Sequence, residues 1–117
     1  GVRGAEDPTL LRRLAEERVP LNVCLTSNLT LLYRRPEEHP LRALLDAGAA
    51  VTLSRDDPMF LGGLTLTEEL GRAAAFARMT REELMACQET AISAAFCSEE
   101  TRAALRAELE SFRAGLR

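Results

Sequence analysis

The chain has 117 residues, which is enough for one small domain. Its hydrophobic fraction of 46% and charged fraction of 28% are typical of a globular protein and argue against disorder. The net charge of -3 gives no electrostatic reason to expect a nucleic acid or an anionic membrane surface as a partner. Three cysteines without close pairing argue against a disulfide framework, so we expect a reducing, cytoplasmic setting. No apolar run approaches the roughly 20 residues of a transmembrane helix.

The first half of the chain predicts alternating helices and strands. Helices are expected where a capping residue or a proline precedes spaced leucines, and strands where a short apolar run is bounded by proline or polar residues. The predicted elements are, in order, a helix from Asp7-Pro8 to about Arg18, a strand over 20–25, a loop over 29–38, a helix from His39-Pro40 to Gly48, and a strand over 49–54. Strands separated by one amphipathic helix are expected to be parallel neighbours, the unit of an α/β fold.

The second half of the chain predicts three helices. In a capping box, a Ser or Thr and a Glu three residues later satisfy N–H groups at a helix start. The predicted helix starts are capping boxes at Thr65 with Glu68 and at Thr80 with Glu83, and a single cap at Ser98. Two parallel strands alone leave both faces and both edges of a sheet to be covered, so the rest of the structure is expected to lie elsewhere.

Asp56 and Asp57, directly after the second strand, are the densest chemical signal in the chain. Adjacent carboxylates repel, so both stay ionised only where a metal, a basic group or hydrogen-bond donors offset the repulsion. The alternative is that Asp56 caps the following turn and Asp57-Pro58 starts it, and the pattern alone favours that alternative. The polar stretch 26–28 ends the other strand and would lie beside the two aspartates, where it either hydrogen-bonds a ligand or caps a turn.

The other chemistry-bearing side chains favour structural interpretations. His39, the single histidine, stands before a proline at a helix start, which is typical of a capping residue rather than of a metal ligand. The Arg34-Arg35 pair predicts a solvated loop. No CxxC pair is present to bind zinc or to act as a redox dithiol, and the cysteines are interpreted as buried small apolar residues. These cysteines are Cys24, Cys87 and Cys97.

Taken in order, these segments resemble the C-terminal part of the adenosine deaminase family of metal-dependent purine aminohydrolases. Each segment is moderately specific by itself, and their order and spacing make the resemblance strong over nearly the whole chain. The segments that carry it are Gly1-Val2-Arg3, Glu6-Asp7-Pro8, Leu21 to Asn28, Glu38-His39-Pro40, Leu44 to Gly48, Val51 to Phe60 and Leu64 to Glu69. The resemblance makes Asp56 and Asp57 the best-supported candidate site.

The resemblance implies an α/β fold, namely the C-terminal segment of a TIM (β/α)8 barrel with two parallel strands and several helices. Residues 1–117 are then expected to be an incomplete barrel domain, because such barrels take about 250 residues and at least roughly 200. The start at Gly1 without Met is expected for a truncation. The family's remaining metal ligands, general-acid Glu and catalytic His are implied to precede this segment, which makes the N-terminal part of the barrel an expected partner.

By the same resemblance, Asp56 is a catalytic residue and a ligand of one divalent metal, Zn2+. Asp57 is implied to bind the substrate by a hydrogen bond at the five-membered ring of the purine. The reaction implied is attack of metal-activated water on the amino-bearing ring carbon, with ammonia leaving. Two residues depart from the family's pattern: Leu25 stands in place of a proline, and the large Arg55 precedes Asp56. Arg55 is therefore expected to reshape the pocket or to pair with one of the two aspartates.

The expected function is hydrolytic deamination of a purine nucleoside, with adenosine as the default substrate. Adenine and aminodeoxyfutalosine deaminases share these motifs and are alternatives. One aspartate is one ligand of a site that needs about four or five including water, so the chain alone is not expected to hold zinc tightly or to be active. An alternative of another class is a non-catalytic barrel remnant that self-associates as a homo-oligomer through its exposed strand edges. Neither a nucleic acid nor a membrane is expected as a partner.

Overall fold

Two short parallel strands stand at the centre of an α/β structure, described here for residues 1–115 of a computed structural model. Helices precede, connect and follow the strands in the order that the sequence predicts, with one additional helix after the first strand. The elements are α1 Pro8–Glu16, β1 Leu21–Val23, α2 Leu25–Leu31, α3 Leu41–Asp46, β2 Val51–Leu53, α4 Leu66–Ala77, α5 Arg81–Ala94 and α6 Glu99–Gly115, with 3-10 helices at Val2–Glu6 and Pro36–Glu38. None of these helices has the length and apolar character needed to cross a membrane.

The strands pair in parallel, so their carboxyl ends meet at one edge of the sheet. Leu21 pairs with Val51 and Val23 with Leu53 in the register. The backbone N–H of Ser54 donates to the carbonyl of Val23 at 3.0 Å, which extends the pairing past the end of β2. Both strands are three residues long, shorter than the predicted six. The α/β class and the parallel pairing are confirmed.

The core lies between the sheet and the helices that cover it. All three residues of β2 are buried, and α5 and α4 pack against that strand. Leucines of α3 complete the core, since Leu41 and Leu44 are both 0% exposed. Val23 of β1 is equally buried, whereas its neighbour Asn22 faces solvent and accepts a hydrogen bond from Thr52 across the pair at 3.0 Å.

The predicted helix starts are confirmed. The Asp7 carboxylate accepts hydrogen bonds from the N–H groups of Thr9 and Leu10 at 2.8 and 3.1 Å, so it caps α1. Both capping boxes are complete, with reciprocal bonds at the starts of α4 and α5. The Ser98 hydroxyl accepts from the N–H of Thr101 at 3.2 Å and begins α6. Each of these caps uses a donor and an acceptor within three residues of one another, so the sequence determines them locally.

The loop predicted over residues 29–38 is wrong at 29–31, which are helical, and confirmed at 32–35, which precede the 3-10 helix Pro36–Glu38. A helix, α2, runs from Leu25 to Leu31, so the polar stretch 26–28 lies within a helix rather than in a turn. No side chain at the helix start caps α2. Instead, the carboxylate of Glu69 on α4 accepts a hydrogen bond from the N–H of Thr26. Glu69 lies 43 residues further along the chain. Because the stabilising acceptor is remote, no local pattern announces this helix.

Candidate functional site

The polar residues at the carboxyl ends of the two strands do come together. The Ser27 hydroxyl, on α2, donates a hydrogen bond of 2.7 Å to Oδ2 of Asp56, which follows β2. Ser27 is 4% exposed, whereas Asp56 is exposed to solvent. The expectation that these two segments lie side by side is therefore confirmed, and the bond fixes one carboxylate oxygen while the side chain faces solvent.

Asp56 leaves the strand in an unusual backbone conformation. Its φ is +58°, in the left-handed region that few residues other than glycine adopt. Such a residue costs about 1–3 kcal/mol unless surrounding contacts hold it, and residues of this kind cluster at functional sites. Two contacts hold Asp56: its N–H donates to the Ser54 hydroxyl at 3.4 Å, and its carboxylate accepts from Ser27. The turn thus directs the carboxylate toward α2.

Asp57 takes part in a local turn. Its Oδ1 accepts a hydrogen bond from the backbone N–H of Met59 at 3.0 Å, the arrangement of an Asx turn. The turn interpretation is confirmed for Asp57, whose side chain is exposed. This bond engages one of the two carboxylate oxygens of Asp57.

Arg55 does not pair with either aspartate within the described residues. Its Nη1 lies 3.4 Å from the backbone carbonyl of Leu64, at the far side of the loop that carries Asp56 and Asp57. The expected ion pair is therefore wrong. The guanidinium instead connects the strand end to Leu64, two residues before α4, so Arg55 does not neutralise either carboxylate.

Glu69, a carboxylate that is 0% exposed, is not among the site residues that the sequence patterns indicate. One of its oxygens accepts from the N–H of Thr26 at 3.0 Å, and the other accepts from the Thr26 hydroxyl. The Arg72 guanidinium also donates to that hydroxyl, at 3.3 Å. One signal in the sequence points to it: Glu69 shares a helix face with Ala73 and Ala77, both buried, so a carboxylate stands on the apolar face of α4.

His39 is a buried structural residue, as the capping interpretation predicts. Its Nδ1 accepts from the backbone N–H of Leu41 at 3.2 Å, so Nε2 carries the proton and donates to Oδ1 of Asn28, also at 3.2 Å. The rings of Tyr33 and Phe76 meet it edge-on at centroid distances of 5.0 and 5.9 Å. Burial lowers the pKa of His39, which favours the neutral ring that this bonding pattern requires.

The cysteines carry no sign of reactivity. Cys87 is 3% exposed, and burial raises the pKa of its thiol to about 11. Burial also raises the pKa of Cys24, which is half-buried at the start of α2. Cys97 is half-buried as well, and all three are free thiols. The prediction of buried small residues is thus confirmed in full for Cys87 and in part for the other two.

A cavity of about 530 Å³ lies away from these polar residues. It is bounded by the segment from Gly48 to Val51, before and at the start of β2, and by one face of α5. The carboxyl ends of the strands, with Asp56, do not line it. Asp56 and Asp57 lie outside this cavity and are exposed to solvent.

Among the described residues, Asp56 is the candidate metal ligand. Within residues 1–115, no group of three or more His, Cys, Asp and Glu side chains is arranged to hold a metal ion. Asp56 fits a hard-oxygen ligand position, because Ser27 fixes one of its oxygens and the residue remains exposed. A zinc site at Asp56 therefore needs its other ligands from outside these residues.

Comparison with known proteins agrees with the resemblance. The chain matches the adenosine deaminase family over residues 1–112. It is 43% identical over 111 residues to the adenine deaminase of Chelativorans sp. (strain BNC1), an alignment that covers 94% of the chain and 34% of that relative. It is 37% identical over 110 residues to the adenosine deaminase of Erwinia tasmaniensis, covering 93% of the chain and 33% of that relative.

The fold is also shared with a solved structure. The crystal structure of adenine deaminase from Arthrobacter aurescens superposes on the chain with a TM-score of 0.84 and 29% sequence identity, covering 96% of this chain and 34% of that one. The chain thus spans about a third of the length of the relatives that it matches.

Proposed function

Because the chain belongs to the adenosine deaminase family, we propose that it supplies one wall of the active site of an enzyme that hydrolytically deaminates a purine. The observation that carries the proposal is the junction of the two strand ends, where the buried Ser27 hydroxyl holds the exposed Asp56 carboxylate at 2.7 Å. A carboxylate fixed at one oxygen and open at the other is suited to bind a cation or to accept a proton.

In this proposal Asp56 is a metal ligand and acts on the attacking water. A divalent metal, zinc by the family resemblance, supplies Lewis acidity when bound and brings the pKa of water toward neutrality. Asp56 orients that water for attack on the amino-bearing carbon, a carboxylate within reach of the water accepts its proton, and ammonia leaves. The left-handed backbone at Asp56 and the Ser27 bond keep this carboxylate in place through the reaction.

Asp57 is proposed to contact the purine ring. Its Oδ1 is engaged by the N–H of Met59, and that bond fixes the side chain at the end of β2. Through its other oxygen, a carboxylate held in this way can accept a hydrogen bond from an N–H of the five-membered ring, or share a proton with a ring nitrogen that carries none. Charge-assisted hydrogen bonds of this type are short and directional, so they orient a flat ligand well.

The substrate class follows from the relatives. Adenosine is the proposed substrate of first choice and gives inosine and ammonia. Adenine is an equally supported candidate, since the Chelativorans relative of higher identity is an adenine deaminase. Aminodeoxyfutalosine is the third substrate to test, because the chain is 36% identical over 115 residues to the aminodeoxyfutalosine deaminase of Streptomyces avermitilis. A cytoplasmic setting, where such enzymes meet their purines, fits the three free thiols.

Ammonia release and zinc content test the proposal. They are measured on the chain alone and on the complemented protein, meaning the chain joined to the N-terminal two thirds of the Chelativorans relative. We expect bound zinc and turnover only in the complemented protein and not in the chain by itself. Asp56→Ala should abolish turnover of adenosine, adenine and aminodeoxyfutalosine. Asp46→Ala, which removes an exposed carboxylate of α3, serves as the matched control and should leave turnover unchanged. Full turnover by Asp56→Ala would contradict the role of Asp56.

A self-associating, non-catalytic remnant is the second candidate. It is favoured by the two-stranded sheet, in which each strand has one edge without a partner among residues 1–115. It is also favoured by α6, whose described residues are all at least partly exposed, with Phe112 60% exposed. Sedimentation of the chain as a discrete dimer, with no ammonia release after complementation, would replace the enzyme proposal with this one.

A further inference from the structure

Glu69 is a buried carboxylate that the proposed reaction does not use. It lies on α4 and is 0% exposed, between the apolar face of that helix and the start of α2. An ionised carboxylate is costly to remove from water unless hydrogen bonds or a cation compensate it. Its observed partners belong to one residue, Thr26, which offers its backbone N–H at 3.0 Å and its hydroxyl. Because burying the Glu69 carboxylate costs free energy, we expect a role that an apolar side chain at this position could not perform.

We propose that Glu69 is a positioning residue for the Asp56 site and acts through the first turn of α2. Glu69 fixes Thr26, and the next residue, Ser27, holds Asp56 at 2.7 Å. The chain of contacts therefore runs from α4 through one helical turn to the end of β2. This inference rests on the proposed deaminase function for its catalytic consequence, and on geometry alone for the connection.

The first step of the connection is that Glu69 replaces a missing cap. The residue at the N-cap position of α2 is Cys24, and no side chain there accepts a hydrogen bond from the helix. Glu69 accepts the N–H of Thr26, at the second helical position, one of the groups left without an intrahelical partner. The two bonds to Thr26 join its backbone and its side chain to the same carboxylate, so they fix both the position and the rotation of the turn.

The second step is that Ser27 moves with the first turn of α2. Ser27 is 4% exposed, and its hydroxyl reaches Asp56 from a backbone that is continuous with Thr26. A shift of the first turn of α2 therefore moves the hydroxyl relative to Asp56. Because site geometry must hold within about 0.5 Å for efficient chemistry, a small displacement is expected to reduce turnover.

The charge of Glu69 is part of the arrangement. A glutamine has the same shape but one acceptor oxygen, so its amide nitrogen would face the Thr26 hydroxyl. That hydroxyl already accepts from Arg72 at 3.3 Å, and it would have to accept a second donor and give up its own donation. Glu69→Gln therefore perturbs the contact with Thr26 without creating a cavity, whereas an alanine would also remove packing volume.

The test compares Glu69→Gln with Glu68→Gln. Glu68 is the adjacent carboxylate of α4, is exposed, and bonds only to the start of its own helix among the contacts described. Hydrogen exchange of the Thr26 and Ser27 amides is measured in the full chain, and kcat, KM and zinc affinity in the complemented protein. We expect Glu69→Gln to accelerate exchange at Thr26 at least about tenfold and to lower kcat about tenfold with little change in KM. Glu68→Gln should leave the exchange rate at Thr26 and kcat within about twofold of the parent.

A double variant separates positioning from general destabilisation. If Glu69 acts through Ser27, adding Glu69→Gln to Ser27→Ala should lower kcat no further than Ser27→Ala alone. Additive losses, or unchanged exchange at Thr26 in Glu69→Gln, would overturn the proposal. Glu69→Asp, which keeps the charge but shortens the side chain, replaces Glu69→Gln if the latter does not fold, with the same expectations. Should no complemented protein release ammonia, the proposed function fails, and exchange at the Thr26 and Ser27 amides alone decides the positioning role.

Discussion

Replacing Ser27 by alanine tests whether the Ser27–Asp56 bond organises the site. The hydroxyl is 4% exposed and lies 2.7 Å from a carboxylate oxygen, so the variant removes one short hydrogen bond to a charged group. Bonds of this kind contribute about 1.5–3 kcal/mol, which corresponds to about 10–100-fold in an equilibrium constant. Asp56 is exposed, so water can take the place of the hydroxyl and the loss should lie at the lower end of this range. We therefore expect zinc binding about tenfold weaker and turnover about tenfold slower.

The assay is zinc competition against a chelator, with kcat for adenosine and adenine, in the complemented protein. Thr30→Ala is the matched control, because Thr30 lies one turn further along α2 and its hydroxyl bonds only to the Thr26 carbonyl among the contacts described. It removes a hydroxyl from the same helix without touching Asp56. Zinc affinity and kcat of Ser27→Ala within twofold of the parent, or an equal loss in Thr30→Ala, would refute the reasoning.

Two predictions concern the fold that supports the site and need the chain alone. Leu44→Ala should lower the free energy of unfolding by about 2–5 kcal/mol, because Leu44 is 0% exposed, whereas Leu31→Ala, at a residue 74% exposed, should change it by less than about 0.5 kcal/mol. Urea titrations measure both, and equal effects would contradict the assigned core. Acidification should destabilise the chain through His39, since burial lowers its pKa below the ordinary 6.5 and the unfolded state therefore binds the proton first. This contribution is complete above about pH 6.5 and decreases as the pH falls toward the folded-state pKa, so a His39→Gln variant should lose that part of the pH dependence in urea titrations. An unchanged slope between about pH 5 and 7 would show that groups other than His39 cause it.

The sequence by itself determined the starts of α1, α4, α5 and α6 and the order of all the main elements except α2. Asp7, the two capping boxes and Ser98 each place a donor and an acceptor within three residues, so local chemistry decides them. The parallel pairing of the strands also followed, because one amphipathic helix between two apolar runs leaves few other arrangements. The sequence further indicated Asp56 and Asp57 as the candidate site, first as a pair of carboxylates at a strand end and then by the family resemblance.

Only the tertiary structure decided what surrounds those carboxylates. The helix α2 exists where a loop was predicted because its start is stabilised by Glu69, which is 43 residues away. Ser27 bonds to Asp56, which lies 29 residues further along the chain. Arg55 donates to the carbonyl of Leu64 rather than to its acidic neighbours. Partners so far apart are brought together by the parallel pairing of the strands and the packing of α4 on α2. Hydrogen bonds act over about 3 Å of space irrespective of sequence separation, so no local pattern could announce them.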